Sequence, residues 1–132
     1  MRIVKPGPVK DRKWTPLTVA NGALALALEG GLLAALFFWG LETASGTLAG
    51  IALGVGSATL AGVVWGLFLA AGGPRFPLPA GPEIAIKLAV LGVAALALAD
   101  FGHVTGGWIF AGLALLSVAV EYTEWGAPGE TG

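Results

Sequence analysis

Glu29 stands in the middle of an apolar run from Leu17 to Leu41. An ionised carboxylate at that depth in hydrocarbon costs several kcal/mol unless it is paired, protonated or hydrated, so an acid inside a membrane span is a functional residue by default. Later apolar runs carry three further charged side chains, Glu83, Lys87 and Glu121. Glu83 and Lys87 are four apart and share a helical face, where they can pair, and Ser117 and Glu121 have the same spacing. If these faces converge, Glu29, Glu83, Lys87 and Glu121 surround one polar cavity, three acids with one base. Desolvation and like charges both disfavour an ionised carboxyl, and a carboxylic acid that keeps its proton in a dry pocket is what general acid catalysis requires. Such a site suits isomerisation, cyclisation or epoxide opening of a lipophilic molecule. Glu29 would be proton donor or acceptor, Lys87 and Glu121 would complete the catalytic set, and Glu83, Asn21, Ser117 and Trp65 would contact substrate.

Each of these residues also has a structural alternative. Lys87 and Glu83 can snorkel to headgroups, Glu121 can be a helix-end acid, and Glu29 can bond across helices to Asn21, Ser117 or Lys87. Asp100 and His103 read as interfacial residues, with gating or ligand contact as the alternative. One His with distant acids makes no metal site, because such sites gather three or four ligands, and a chain without cysteine has no thiolate chemistry. No cofactor is expected.

The elements that must position these groups are helices. The 132 residues are 56% hydrophobic and 11% charged, which excludes an ordinary soluble domain. Four apolar runs, Leu17 to Leu41, Thr47 to Ala71, Pro82 to Asp100 and Trp108 to about Tyr122, are each near the roughly 17 to 25 residues that span a bilayer as helix. Glu42 to Gly46 and Phe101 to Gly107 are tight links, and GGPRFPLPAG (Gly72 to Gly81) is a Pro/Gly loop in which no helix continues. The expected fold is an all-α membrane protein, a bundle of four transmembrane helices over residues 17–125. A basic cytoplasmic segment, residues 1–16, precedes it, and a short tail, residues 126–132, follows.

Five of seven basic residues, Arg2, Lys5, Lys10, Arg12 and Lys13, precede the first run and Arg75 lies in the middle loop. The positive-inside rule therefore puts both termini in the cytoplasm. Trp14, Trp65 and Trp125 then fall near the inner interface and Trp39 and Trp108 near the outer one, the two belts that indoles form. A net charge of -1 gives no reason to expect nucleic acid; the basic segment orients the chain and touches anionic lipid. The first run exceeds the ~7 to 15 residues of a signal-peptide core and carries a central acid that such a core rarely tolerates.

Small residues recur every fourth position in the second run: Gly46, Gly50, Gly54, Ala58, Gly62 and Gly66. In lipid, helices associate by close packing, so this stripe marks a helix in the middle of the bundle or at a dimer seam, with the intramolecular seam preferred. The chain also reads as two weakly similar halves of two spans each. Aligning LEGGLLAAL (Leu28 to Leu36) with IKLAVLGVAAL (Ile86 to Leu96) sets Glu29 opposite Lys87, as in transporters whose halves are related by an axis along the membrane normal. If the first helix begins below the membrane, both residues fall in the inner leaflet.

The LE pair (Leu28, Glu29), VWGLF (Val64 to Phe68), LPAGP (Leu78 to Pro82) and the Gly102–His103 link resemble the YrdB-like family, small four-span bacterial membrane proteins of unknown function. The resemblance covers roughly residues 21–122 and implies a multi-pass protein of the bacterial plasma membrane. It also implies an acid on the third span where this chain has Lys87. The chain departs there, and in one extra residue of the LPGP-type turn.

Three functions follow. The first is a metal-free isomerase or cyclase acting on a lipophilic small molecule at Glu29. The second is a proton-coupled exporter, which at this size needs a homodimer. The third is an accessory subunit docked on a larger membrane partner through the small-residue stripe. The first is preferred, because Lys87 beside Glu29 would oppose a cation and suppress simple proton exchange.

Overall fold

The computed structural model describes residues 3–5, 14–70 and 73–123. Arg2, Lys10, Arg12 and Lys13 of the basic segment, Gly72 of the middle loop, Trp125 and the tail 126–132 lie outside the described residues. Four helices follow in order: α1 (Pro16–Thr43), α2 (Thr47–Phe68), α3 (Ala80–Asp100) and α4 (Val104–Glu121). All four are long and apolar enough to cross a membrane. The 28 residues of α1 extend for about 42 Å at 1.5 Å per residue, more than the roughly 30 Å hydrocarbon core, so this helix tilts or overhangs.

Local chemistry sets the boundaries. Thr15 caps α1 through a reciprocal box with Thr18, whose hydroxyl accepts from the Thr15 amide at 2.6 Å. Pro16 opens the helix at a position where no amide donor is needed. The α3–α4 link is shorter than the sequence suggests, because α4 starts at Val104 rather than Trp108. Its turn is a Schellman motif: His103 N donates to Leu98 O at 2.8 Å and Gly102 N to Ala99 O at 3.2 Å. Gly102 adopts φ +100°, which a side chain would disfavour.

α1 and α2 form one close hairpin and α3 and α4 another. α1 is the central helix. It packs on α2, α3 and α4, whereas α2 only grazes α3 and, among the described residues, does not meet α4. The glycine stripe therefore serves the intramolecular seam that the sequence reading prefers, against α1, while α2 itself lies at the edge of the bundle. Only the middle of the stripe, Gly50, Gly54 and Ala58, is packed within the bundle. A Cβ on Gly54 would sit 2.5 Å from Phe37 O, and one on Gly40 would collide with the Gly54 backbone, whereas Gly62 and Gly66 face open space. The second hairpin has one comparable contact, where a Cβ on Gly107 would lie 2.7 Å from Ala95 O. Leu32, Leu36, Ala61, Leu91, Ala94 and Ala114 fill the core between the hairpins.

The N-terminal segment returns to this bundle. Ile3 forms an isolated antiparallel bridge with Thr123, and Val4 N donates to Tyr122 O at 2.9 Å. Residues 3–5, the α2–α3 loop and the end of α4 therefore share one end of the molecule, the terminal end. The two short links define the other, the link end.

Candidate functional site

Two polar sites of opposite character result. The first closes the terminal end between α3 and α4. Glu83, Lys87 and Glu121 are 6%, 5% and 8% exposed. Lys87 Nζ donates to Glu121 Oε2 at 2.5 Å, and the Tyr122 hydroxyl donates to Glu83 Oε2 at 2.7 Å. Lys5 Nζ, on the returning N-terminal segment, lies 3.8 Å from Glu83 Oε1 and donates to the Leu78 carbonyl. The Lys87 ammonium also lies 5.6 Å from the Trp65 ring centroid and 5.4 Å from that of Tyr122, close enough for cation–π attraction. Two cations and two carboxylates make the cluster formally neutral. Its bonds offset a desolvation cost that a lone buried charge could not bear.

This differs from the expected constellation. The i, i+4 pair of Glu83 with Lys87 is replaced by two cross-helix contacts, Lys87 with Glu121 and Glu83 with Tyr122. A partner on the facing helix lets both ends of a pair leave lipid together, which a partner on the same face does not. The expected third acid is absent too. Lys5 stands where Glu29 was expected to complete the group.

Glu29 forms the second site. It is half-buried on α1, and among the described residues no hydrogen bond or ion pair reaches its carboxylate. It lines a crevice of about 210 Å³ with Leu33, Gly62, Trp65, Gly66 and Ala70, where α1 and α2 diverge below their close contact. Trp65 is the wall between the sites, facing Glu29's crevice and the Lys87 ammonium. Of the other expected substrate contacts, Asn21 Oδ1 and Ser117 Oγ are buried without a partner among the described residues, and neither joins Glu29 in its crevice.

A further opening is one that the sequence did not show. Because α2 and α3 scarcely touch, a groove of about 790 Å³ runs between them, floored by Leu32 and Leu36 of α1 and walled by Leu60, Val64, Val90, Val93 and Leu96. It shares Leu32 and Ala61 with Glu29's crevice, so one layer of side chains separates groove from carboxylate. Its polar groups are few. Ser57 donates within the α1–α2 hairpin, to Leu36 O at 3.3 Å or Gly54 O at 3.2 Å. At the link end Trp39 Nε1 donates to Asp100 Oδ2 at 2.9 Å.

Sequence reasoning missed Lys5, Tyr122 and the groove. Lys5 is one of five basic residues ahead of α1, with nothing to single it out. Tyr122 is the chain's single tyrosine and adjoins Glu121, a signal that could have been used. The groove walls are Leu, Val and Ala, the same types that face lipid. Among the described residues no group of acids and histidines is placed to hold a metal ion.

Fold and sites together define a four-span membrane protein with a neutralised charge cluster at one end and an unpaired acid beside a lateral apolar groove. The chain belongs to a family described as a protein of unknown function, DUF2568, whose model matches residues 23–115. The match takes in Glu29, the groove walls, Glu83 and Lys87, and stops short of Lys5, Glu121 and Tyr122. No curated protein and no solved structure matches the chain.

Proposed function

We propose that the protein holds a lipophilic small molecule in the groove between α2 and α3 and that Glu29 exchanges a proton with it, in chemistry of the isomerase, cyclase or epoxide-opening kind. One observation carries this reading: an acid with no partner among the described residues lies across the Leu32–Ala61 layer from a groove of about 790 Å³. That volume is within the roughly 300 to 1,000 Å³ of small-molecule sites. Lys87 and Glu121 satisfy one another at 2.5 Å, so Glu29 takes the proton-transfer role while they hold the terminal end closed. Proton transfer needs only that the Leu32 and Ala61 side chains yield to a bound ligand. The YrdB-like assignment, from the LE, VWGLF and LPAGP motifs, and a bacterial plasma membrane with cytoplasmic termini, from the basic segment, belong to the same proposal.

The test is purification in native lipid discs, mass spectrometry of the molecules retained, and turnover of those molecules by wild type and Glu29→Gln. A retained lipophilic compound whose conversion falls about 10²- to 10⁴-fold in the variant, the usual size of a general acid–base contribution, supports the reading. Unchanged conversion by the variant, or no lipophilic compound at all, overturns it.

One observation favours a second reading, proton-coupled export. Lys87 is engaged by Glu121, so the main argument against a cation near Glu29 is gone. Uptake of a lipophilic cation into vesicles under a proton gradient, lost in Glu29→Gln, would select export over chemistry.

A further inference from the structure

The groove has a polar corner at one end only, and its chemistry is one-sided. At the link end the Trp39 indole N–H is already committed to Asp100 Oδ2, which leaves the other oxygen of an exposed carboxylate and the face of an indole ring as the groups a ligand can meet. Ser57, the other polar lining residue, donates its proton within the α1–α2 hairpin and so offers a ligand only lone pairs. The corner is therefore all acceptor. Around it the field has the same sign, since Glu42 lies in the last turn of α1 and neither short link contains Lys or Arg. An exposed carboxylate at the edge of an indole ring attracts ammonium groups, quaternary ones included, and a negative rim raises the local concentration of cations and repels anions.

Below this corner the groove is apolar apart from Ser57, whose hydroxyl proton is spent within the α1–α2 hairpin. From Asp100 to Val90 it follows α3 for ten residues, about 15 Å at 1.5 Å per residue. That shape suits one alkyl or isoprenoid chain lying between α2 and α3 and entering sideways from the bilayer.

We propose that the groove's ligand is a single-chain amphiphile with a cationic amine or ammonium head, its chain against Leu32, Val64 and Val93 and its head in the Trp39–Asp100 corner. This rests on the reading that the groove binds a lipophilic molecule and adds the class of head group.

Three probes with the same tetradecyl chain and mid-chain diazirine, bearing trimethylammonium, phosphocholine or sulfate heads, distinguish the possibilities in phosphatidylcholine vesicles. Each is photolysed on the full chain, and labelling of Val64 and Val93 is normalised to that of Leu115 and Leu116 on the exposed face of α4. The expected result is at least a ten-fold excess of groove labelling by the ammonium probe over the sulfate probe. Asp100→Asn, which keeps an acceptor for Trp39, should cut that excess to two-fold or less while chain labelling persists. Equal labelling by ammonium and sulfate probes, or phosphocholine labelling as strong as ammonium, overturns the head-group proposal and leaves a groove filled by apolar chains of any kind. Absence of groove labelling by all three overturns the binding reading itself. The wild-type comparison decides between these outcomes even if Asp100→Asn folds poorly.

Discussion

Glu121 and Glu29 are both carboxylates on apolar helices, yet one meets an ammonium at 2.5 Å and the other meets no partner among the described residues. Glu121 belongs to a buried cluster in which Lys87 meets Glu121 and Tyr122 meets Glu83, with the exposed Lys5 at its edge. Glu29 faces a half-open crevice one side-chain layer from the groove between α2 and α3. The difference teaches that an acid in a span is not one kind of signal. Where opposite charges arrive from the facing helix, the acid is part of the architecture. Where none arrives, its cost is carried by the rest of the fold, and such retained strain is a mark of function.

This comparison can be broken most directly at the closed site. Lys87→Met should take from Glu121 the ammonium it meets in the protein interior and lower stability by about 3 to 5 kcal/mol, whereas Lys87→Met with Glu121→Leu should recover most of that loss, because replacing a whole buried pair by apolar groups is near neutral. Denaturant unfolding in a fixed detergent reads both, and equal destabilisation by single and double variants would show that the pair is not the unit. Tyr122→Phe removes one hydrogen bond to a carboxylate and should cost about 1.5 to 3 kcal/mol. A loss confined to this range, with Lys5→Met adding less because Lys5 is exposed, would place the Tyr122 bond above the Lys5 contact in holding Glu83.

The glycine stripe offers a second contrast of similar logic. Gly54→Ala pushes a methyl group into Phe37 O and should cost about 1 to 3 kcal/mol, measured as loss of thermal stability. Gly62→Ala meets nothing and should be neutral or stabilising by up to about 1 kcal/mol, the helix propensity gained. The smallest stability effect belongs to the open site. Glu29→Gln removes an acid that meets no partner among the described residues, so it should cause no loss of unfolding free energy and should raise it if anything, the direction expected when a desolvated charge is taken away. A loss as large as that of Lys87→Met would mean that Glu29 is structural after all, and the contrast between the two acids would disappear.

The four spans, their Pro/Gly punctuation and the three interior acids with Lys87 were all legible in the residue order, because transfer into hydrocarbon and the backbone limits of Pro and Gly act locally and sum along the chain. Of the four charged residues that converging faces would gather, the structure brings Glu83, Lys87 and Glu121 to one end of the bundle and leaves Glu29 in a separate crevice. The sequence determined nothing about how each helix is turned about its own axis. In helices apolar on every side, Leu, Val and Ala suit lipid and core alike, so no hydrophobic face says which neighbour a side chain meets. The packing of Gly40 on Gly54 and of Gly107 on Ala95 sets the rotations within each hairpin, and the core of Leu32, Leu91, Ala94 and Ala114 sets one hairpin on the other. That packing gave Lys87 to Glu121 rather than to Glu83 or Glu29, moved α2 to the edge of the bundle, and opened the groove beside Glu29. Each of these outcomes depends on distances of a few ångströms between segments far apart in sequence, and such distances exist only once the helices have met.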